Sequence, residues 1–165
     1  MVNKFRQSEN LLRLRLPNFP LLKALYIKDN SVKLTGECFC GEIKYEIDGV
    51  LLDARSCHCS RCRKAFNSQA SAYALVIPSE FRWVCGKDYL TTYASQQGFG
   101  LQFCKQCGST LCGIYENEVH GVTLGCLNED PEIEIGRHIF VGSKASWEVI
   151  PENVKQYEEH APENL

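Results

Sequence analysis

The amino-acid sequence predicts a mainly β fold made of short antiparallel strands. Runs of apolar and β-branched residues recur along the chain, and Gly, Pro, Asn and Asp separate them, which is the pattern of strands joined by turns. Only residues 60–66 favour a helical turn. Ten cysteines, seven of them in short clusters, point to metal sites within this β domain.

The first predicted strand is marked by alternation. Ile43, Tyr45 and Ile47 alternate with charged residues as far as Asp48-Gly49, which indicates a half-buried strand followed by a turn. Seven further β-rich runs predict the remaining strands. They cover residues 70–77, 81–84, 89–93, 100–104, 110–115, 119–127 and 138–141.

Length and composition fit one folded domain. The chain has 165 residues, of which 44% are hydrophobic and 23% charged, close to the ordinary balance of a globular protein. This composition excludes a disordered or collagen-like chain. The net charge of −2 provides no general basic field for nucleic acid, so a nucleic-acid partner is not expected.

The chain divides into three parts by composition. Residues 1–33 form a basic, leucine-rich N-terminal extension with seven basic and two acidic residues. Residues 34–150 form the predicted zinc-binding domain, and residues 151–165 form a polar C-terminal tail. No stretch approaches the ~20 apolar residues of a membrane span, and no secretory signal is evident. We therefore expect a cytoplasmic protein with reduced cysteines; a homo-oligomer stays open.

Seven cysteines lie in three clusters with the spacing of metal ligands. A C-x-x-C or C-x-C turn followed by glycine brings two thiolates to one side of a tight loop, and zinc binds four such ligands tetrahedrally. The clusters are Cys38-Phe39-Cys40, Cys57-His58-Cys59-Ser60-Arg61-Cys62 and Cys104-Lys105-Gln106-Cys107.

Two divisions of the seven sulfurs are possible. In the first, Cys38 and Cys40 join Cys104 and Cys107 in a closed site, and the compact set of Cys57, Cys59 and Cys62 is left with an open coordination position. In the second, Cys38 and Cys40 join Cys57 and Cys59, leaving Cys62 with the last pair. We prefer the first because it keeps the triplet together.

The triplet has a structural interpretation as well as a catalytic one. A histidine as fourth ligand would close it as a second structural zinc site. His58 is expected to point away from its two neighbouring ligands, and His120 and His138 to be ordinary core or surface residues. The isolated Cys85, Cys112 and Cys126 are predicted to be buried free thiols.

These motifs resemble the glutathione-dependent formaldehyde-activating enzymes, whose domain is shared with the centromere protein V group. The resemblance extends over residues 34–150, and the ordered C-x-C, C-x-C-x-x-C and C-x-x-C-G clusters make it specific. The matching segments are 36–41, 57–64, 81–83 with Gly86, 90–93, 103–109, and 138–141 with Lys144, Ala145 and Trp147.

The resemblance implies a β-tent fold of the Mss4 type with two zinc ions. It places Cys38, Cys40, Cys104 and Cys107 on a structural zinc, and Cys57, Cys59 and Cys62 on a catalytic one. The activity it implies is condensation of glutathione with formaldehyde to S-hydroxymethylglutathione, which is a carbon-sulfur lyase reaction run in reverse. A small-molecule thiol and an aldehyde are then the partners, with glutathione as co-substrate.

Three cations adjoin the triplet. Arg61 and Arg63 are candidates for stabilising the alkoxide that develops on the aldehyde, and Arg63 and Lys64 for holding a glutathione carboxylate. Two other functions remain open at this point. One is a zinc-stabilised binding module without activity, like the centromere-associated relatives; the other is a redox sensor whose triplet releases zinc on oxidation.

Overall fold

The computed structural model of the protein describes residues 33–95 and 98–162. Predictions for residues 1–32, which make up nearly all of the basic extension, lie outside the described residues. The described part contains one helix, α1 (Ser60–Phe66), and eleven strands. The strands are β1 (Lys33–Glu37), β2 (Lys44–Asp48), β3 (Leu52–Cys57), β4 (Ser71–Leu75), β5 (Phe81–Cys85), β6 (Leu90–Ala94), β7 (Phe99–Cys104), β8 (Thr110–Tyr115), β9 (Glu118–Thr123), β10 (Arg137–Ile139) and β11 (Lys155–Tyr157).

The strands form two sheets. One has the order β1-β2-β5, and the other has the order β11-β10-β3-β4-β9-β8-β7-β6. Neighbouring strands are antiparallel except at β10, which runs parallel to both β3 and β11. The prediction of a mainly β fold with short, mostly antiparallel strands is therefore confirmed.

The helix and β8 have the predicted bounds, and most other predicted runs contain a strand displaced by one or two residues. The run 119–127 is divided, because β9 ends at Thr123 and a short 3-10 turn follows. Strands β1, β3 and β11 were not among the predicted runs. The polar C-terminal tail thus contributes β11 to the larger sheet.

One buried apolar cluster joins the two sheets. Ile43 and Ile47 contribute to it from the smaller sheet region, and Leu111, Ile114 and Val122 from the larger sheet. Tyr45 is a buried member of this cluster, with its ring packed against Phe81 and Trp83 at centroid distances of 5.2 and 5.8 Å. Cys38 and Cys104 are members of the same cluster, so the core fixes two of the predicted metal ligands.

The Tyr45 ring leaves no space for a side chain at Gly36. The two residues pair across β1 and β2, and a Cβ added at Gly36 would overlap the ring. We expect Gly36→Ala to lower the free energy of unfolding by about 1–3 kcal/mol, because this well-packed core has no room for another methyl group.

Chemical denaturation in the presence of Zn²⁺ measures this effect. Gly125→Ala is the matched control, since a Cβ there meets no atom within 4 Å and should change stability by less than about 0.5 kcal/mol. Equal stability of the two variants would contradict the packing argument.

Candidate metal centres and the adjoining cleft

The four-cysteine site lies where two hairpin turns meet. Cys38 and Cys40 lie in the turn between β1 and β2, whereas Cys104 ends β7 and Cys107 lies in the turn before β8. Each turn is closed by the backbone, with Cys38 N–H donating to Ile43 at 3.1 Å and Cys104 N–H donating to Ser109 at 3.0 Å. Because the hairpins belong to different sheets, this site joins the two sheets.

The four sulfurs have the separation that zinc needs. All four ligand atoms lie within 4.8 Å of one another, with Sγ–Sγ distances of 3.4 Å for Cys38 and Cys40 and 3.8 Å for Cys40 and Cys104. Tetrahedral zinc with bonds of about 2.3 Å sets its sulfurs about 3.8 Å apart. The backbone N–H of Ile43 donates to the Cys38 sulfur at 3.3 Å. The residues present therefore fit a tetrahedral zinc.

Electrostatics in this cluster also favour a cation. The Glu42 N–H stabilises the Cys40 thiolate, but desolvation and hydrogen bonds with the neighbouring thiols outweigh it and raise the Cys40 pKa to about 12. Burial acts to raise the pKa of Cys107, whereas hydrogen bonds from Ser109 and others lower it to about 6. A bound cation would favour the thiolate form of these ligands.

Ser109 connects the two turns. Its hydroxyl accepts a hydrogen bond from Phe39 N–H at 2.9 Å and lies 3.3 Å from the Cys107 sulfur. Sequence reasoning did not assign it a role. A hydroxyl residue directly after a C-x-x-C-G turn was the available signal.

The three-cysteine site forms where β3 leads into α1. Cys57 is the last residue of β3, Cys59 is the N-cap of α1, and Cys62 lies in the first helical turn. Their sulfurs lie within 4.8 Å of one another. The Cys62 N–H donates to the Cys59 sulfur at 3.4 Å, so a thiolate satisfies one of the unpaired donors of the helix N-terminus.

Proton sharing within the triplet is strong. Hydrogen bonds from the thiols of Cys57 and Cys62 lower the pKa of Cys59, and the same contact with Cys59 raises the pKa of Cys57. Cys59 therefore loses its proton more readily than Cys57 does. Binding of a metal ion by all three sulfurs would release the remaining thiol protons.

Ser71 was not predicted to lie at the triplet. It pairs with Cys57 across β3 and β4 and is 1% exposed. The sequence carries no local signal for this contact, because β3 and its register were not predicted.

His58 does not join the sulfurs of its neighbours. Its Nδ1 lies 2.8 Å from Glu148 Oε1, and its Nε2 lies 2.8 Å from His138 Nδ1. In residues 33–95 and 98–162, no histidine, aspartate or glutamate completes the triplet as a fourth ligand. The structure thus brings together three sulfurs at one site and four at the other, which is the division preferred from the sequence.

The remaining histidines and cysteines of residues 33–95 and 98–162 belong to neither group of metal-ligand atoms. His120 packs its ring against Phe99, and burial followed by the charge of Arg55 lowers its pKa. Cys112 is buried and Cys126 is partly buried. The prediction that Cys85 is buried is wrong: it ends β5, an edge strand, opposite the exposed Lys44.

The three predicted cations lie along α1. Arg63 and Lys64 line a cleft of about 700 Å³ beside the helix, whereas Arg61 is exposed and outside the lining. Arg63 Nη1 also donates to the Ser143 carbonyl at 2.6 Å, which ties the helix to the turn Val141–Ser143. The full lining is Ser60, Arg63, Lys64, Asn67, Ser68, Gln69 and Trp147.

The cleft and the triplet use different faces of α1. Residues 60, 63, 64 and 67 share one face of a helix, and Cys62 lies on the other. No cysteine of the triplet lines the cleft. Ser60 follows Cys59 in the chain and is therefore the point of the cleft nearest in sequence to the triplet.

Fold and site together define a cysteine-rich β domain with one four-thiol and one three-thiol cluster. The sequence matches the family model of the glutathione-dependent formaldehyde-activating enzymes over residues 33–143. The chain belongs to this family.

A crystal structure of a Rhodobacter sphaeroides protein is also similar to this chain. It is 31% identical, with a TM-score of 0.47, and the match covers 58% of this chain and 89% of the other. Among the described residues, no helix combines the length and apolar character needed to cross a membrane.

Proposed function

We propose that this protein is a zinc-dependent enzyme of the carbon-sulfur lyase type that acts on a thiol-aldehyde adduct, with glutathione and formaldehyde as the pair to test. One observation carries the proposal: the second cluster offers three sulfurs where the first offers four. Three protein ligands with a free position are the arrangement of catalytic zinc sites, whereas four are that of structural sites.

The chain would supply metal ligands and a positive charge to this chemistry. Cys57, Cys59 and Cys62 would hold the zinc, which when bound supplies a positive charge that favours the thiolate form of an incoming thiol. The reaction forms a bond between the thiol sulfur and the aldehyde carbon, and the thiol proton ends on the former carbonyl oxygen. Arg61, exposed in the first turn beside Cys62, would stabilise the negative charge that develops on that oxygen.

The cleft would hold the anionic part of the thiol co-substrate. It is an open depression of about 700 Å³ whose lining includes the two cations Arg63 and Lys64. Lys64 and the Arg63 N–H groups not used by Ser143 would bind carboxylates, and Trp147 would supply an apolar wall. The co-substrate sulfur would then pass Ser60 to approach the triplet.

The sulfur count favours an enzyme over a binding module without activity, because such a module would close both metal sites with four ligands.

The proposal is tested by the rate of adduct formation. Exchange of ¹³C-formaldehyde with S-hydroxymethylglutathione is measured by NMR, with and without the protein carrying two zinc ions per chain. We expect an accelerated exchange that is lost when a chelator removes one zinc. No acceleration by the protein with two zinc ions, for glutathione or for other small thiols, would contradict the proposal.

Lys64→Gln is expected to raise the KM for glutathione about two- to fivefold, the effect of losing an exposed ion pair of roughly 0.5–1 kcal/mol. The effect should shrink at high salt, because the pair is exposed to solvent. Lys87→Gln is the matched control, since Lys87 is exposed and does not line the cleft. An unchanged KM in Lys64→Gln would show that Lys64 does not bind the carboxylate of glutathione.

A further inference from the structure

A buried polar pair, His58 and Glu148, lies beside the triplet and is not used by the proposed chemistry. His58 is 1% exposed and Glu148 4%. The carboxylate contacts the imidazole at 2.8 Å, and the His58 ring stacks on His138 with centroids 5.0 Å apart. Burial of such groups costs free energy unless they are paired. A pair kept at this position therefore needs a reason beyond packing.

His58 lies between Cys57 and Cys59 in the chain, so its backbone connects two of the three ligand residues. Its backbone N–H donates to the Ile139 carbonyl on β10 at 3.0 Å, and Cys57 pairs with the same Ile139 in the parallel ladder. Backbone and ring of His58 are thus both held by other parts of the fold. Since Cys57 and Cys59 are its immediate neighbours, an immobile His58 restricts the directions in which both thiols point.

Glu148 belongs to a turn that also forms the wall of the cleft. Its N–H donates to the Ala145 carbonyl at 3.1 Å, and Lys144 Nζ donates to the Glu148 carbonyl at 3.1 Å. Its neighbour Trp147 is 69% exposed and lines the cleft. The turn therefore directs the Glu148 side chain into the protein toward His58 and the preceding Trp147 side chain outward.

We propose that Glu148, acting through His58, is a positioning residue that holds the thiols of Cys57 and Cys59 in the geometry for metal binding. The inference rests on the proposed zinc site at the triplet. Outer groups that orient metal ligands change metal affinity by about 10–100-fold when they are removed. The four-cysteine site, which has no contact with Glu148 among those described, provides an internal reference.

The experiment measures metal binding to the full chain by competition with a chromophoric chelator, using Zn²⁺ for affinity and Co²⁺ for the thiolate-to-metal absorption spectrum. We expect Glu148→Ala to weaken the triplet about 10–100-fold and to shift its cobalt bands, while the four-cysteine site keeps its affinity. Glu148→Gln, which keeps the shape, should restore part of the loss. Glu152→Gln, at an exposed glutamate nearby, should change neither site.

A double variant assigns the effect to the triplet. In the Cys59→Ser background, Glu148→Ala should cause no further change in metal binding, because the site it positions is already lost. Triplet affinity within twofold of wild type in Glu148→Ala would overturn the inference. Equal weakening of both sites together with a lower unfolding temperature would overturn it too, since that is a general packing effect.

Failure of the inference is distinguishable from failure of the proposed function. A wild-type chain that binds only one metal ion would overturn the catalytic zinc site and this inference with it. Two bound metal ions in the wild type with no effect of Glu148→Ala would overturn the inference alone.

Discussion

Replacing Cys104 with serine is expected to unfold the domain. Cys104 is fully buried, ends β7 and supplies one of four sulfurs between the two sheets. A structural zinc contributes about 10–16 kcal/mol of binding free energy in small zinc domains. The whole stability of a domain is about 5–15 kcal/mol, so the loss of one ligand should exceed what the core can offset.

Circular dichroism and zinc analysis of purified Cys104→Ser measure this effect. Removal of both metals from the wild type by a strong chelator should give the same unfolded spectrum. Cys85→Ser is the matched control: its thiol is exposed and makes only a long contact of 3.7 Å with the Glu42 carbonyl. A cooperative transition of Cys104→Ser at the wild-type temperature, with two zinc ions bound, would disprove the structural role of this site.

Cys59→Ser is expected to remove one zinc and at least about 100-fold of the thiol-dependent consumption of formaldehyde while the fold is retained. Electrostatic groups at a reacting centre are worth about 10²–10³ in rate. The fold should survive because Cys59 is also the N-cap of α1, and serine is a preferred N-cap residue. The change to serine therefore separates metal ligation from helix capping.

The comparison with Cys59→Ala tests that separation. Alanine removes both the ligand and the cap, so it should cost about 1 kcal/mol more in unfolding free energy than serine does. Zinc content, chemical denaturation and the rate are measured on the same preparations. Two zinc ions and full activity in Cys59→Ser would contradict the catalytic assignment, and loss of the fold would show a structural triplet.

The sequence predicted the elements whose signals are local. The bounds of α1 and β8 were predicted correctly because each has a clear residue pattern and is followed by residues that end it. The division of the seven sulfurs into four and three was preferred because it keeps the compact triplet together, although the spacing alone permitted a second division. Nothing in the sequence decided whether three sulfurs make a catalytic site, since this depends on which groups can approach as a fourth ligand.

Other features could not be predicted because they depend on partners distant in sequence. Strand β3 has no clean alternation: its register with β4 shifts between Leu52 and Arg55, and Asp53 has a φ of 49°. His58 was expected to point away from the sulfurs, but Glu148 lies 90 residues further along the chain and has no motif of its own. Burial of this glutamate is evident only once β10 and the turn after it are placed.

The position of the four-cysteine site between two hairpins has a consequence for the order in which the protein matures. Cys40 and Cys104 are 64 residues apart, whereas each hairpin is closed by neighbours in the chain and can form early. A metal ion held by all four sulfurs could be captured only after both half-sites exist, because each hairpin supplies two of the ligands. Binding of zinc there would thus join hairpins that have already formed.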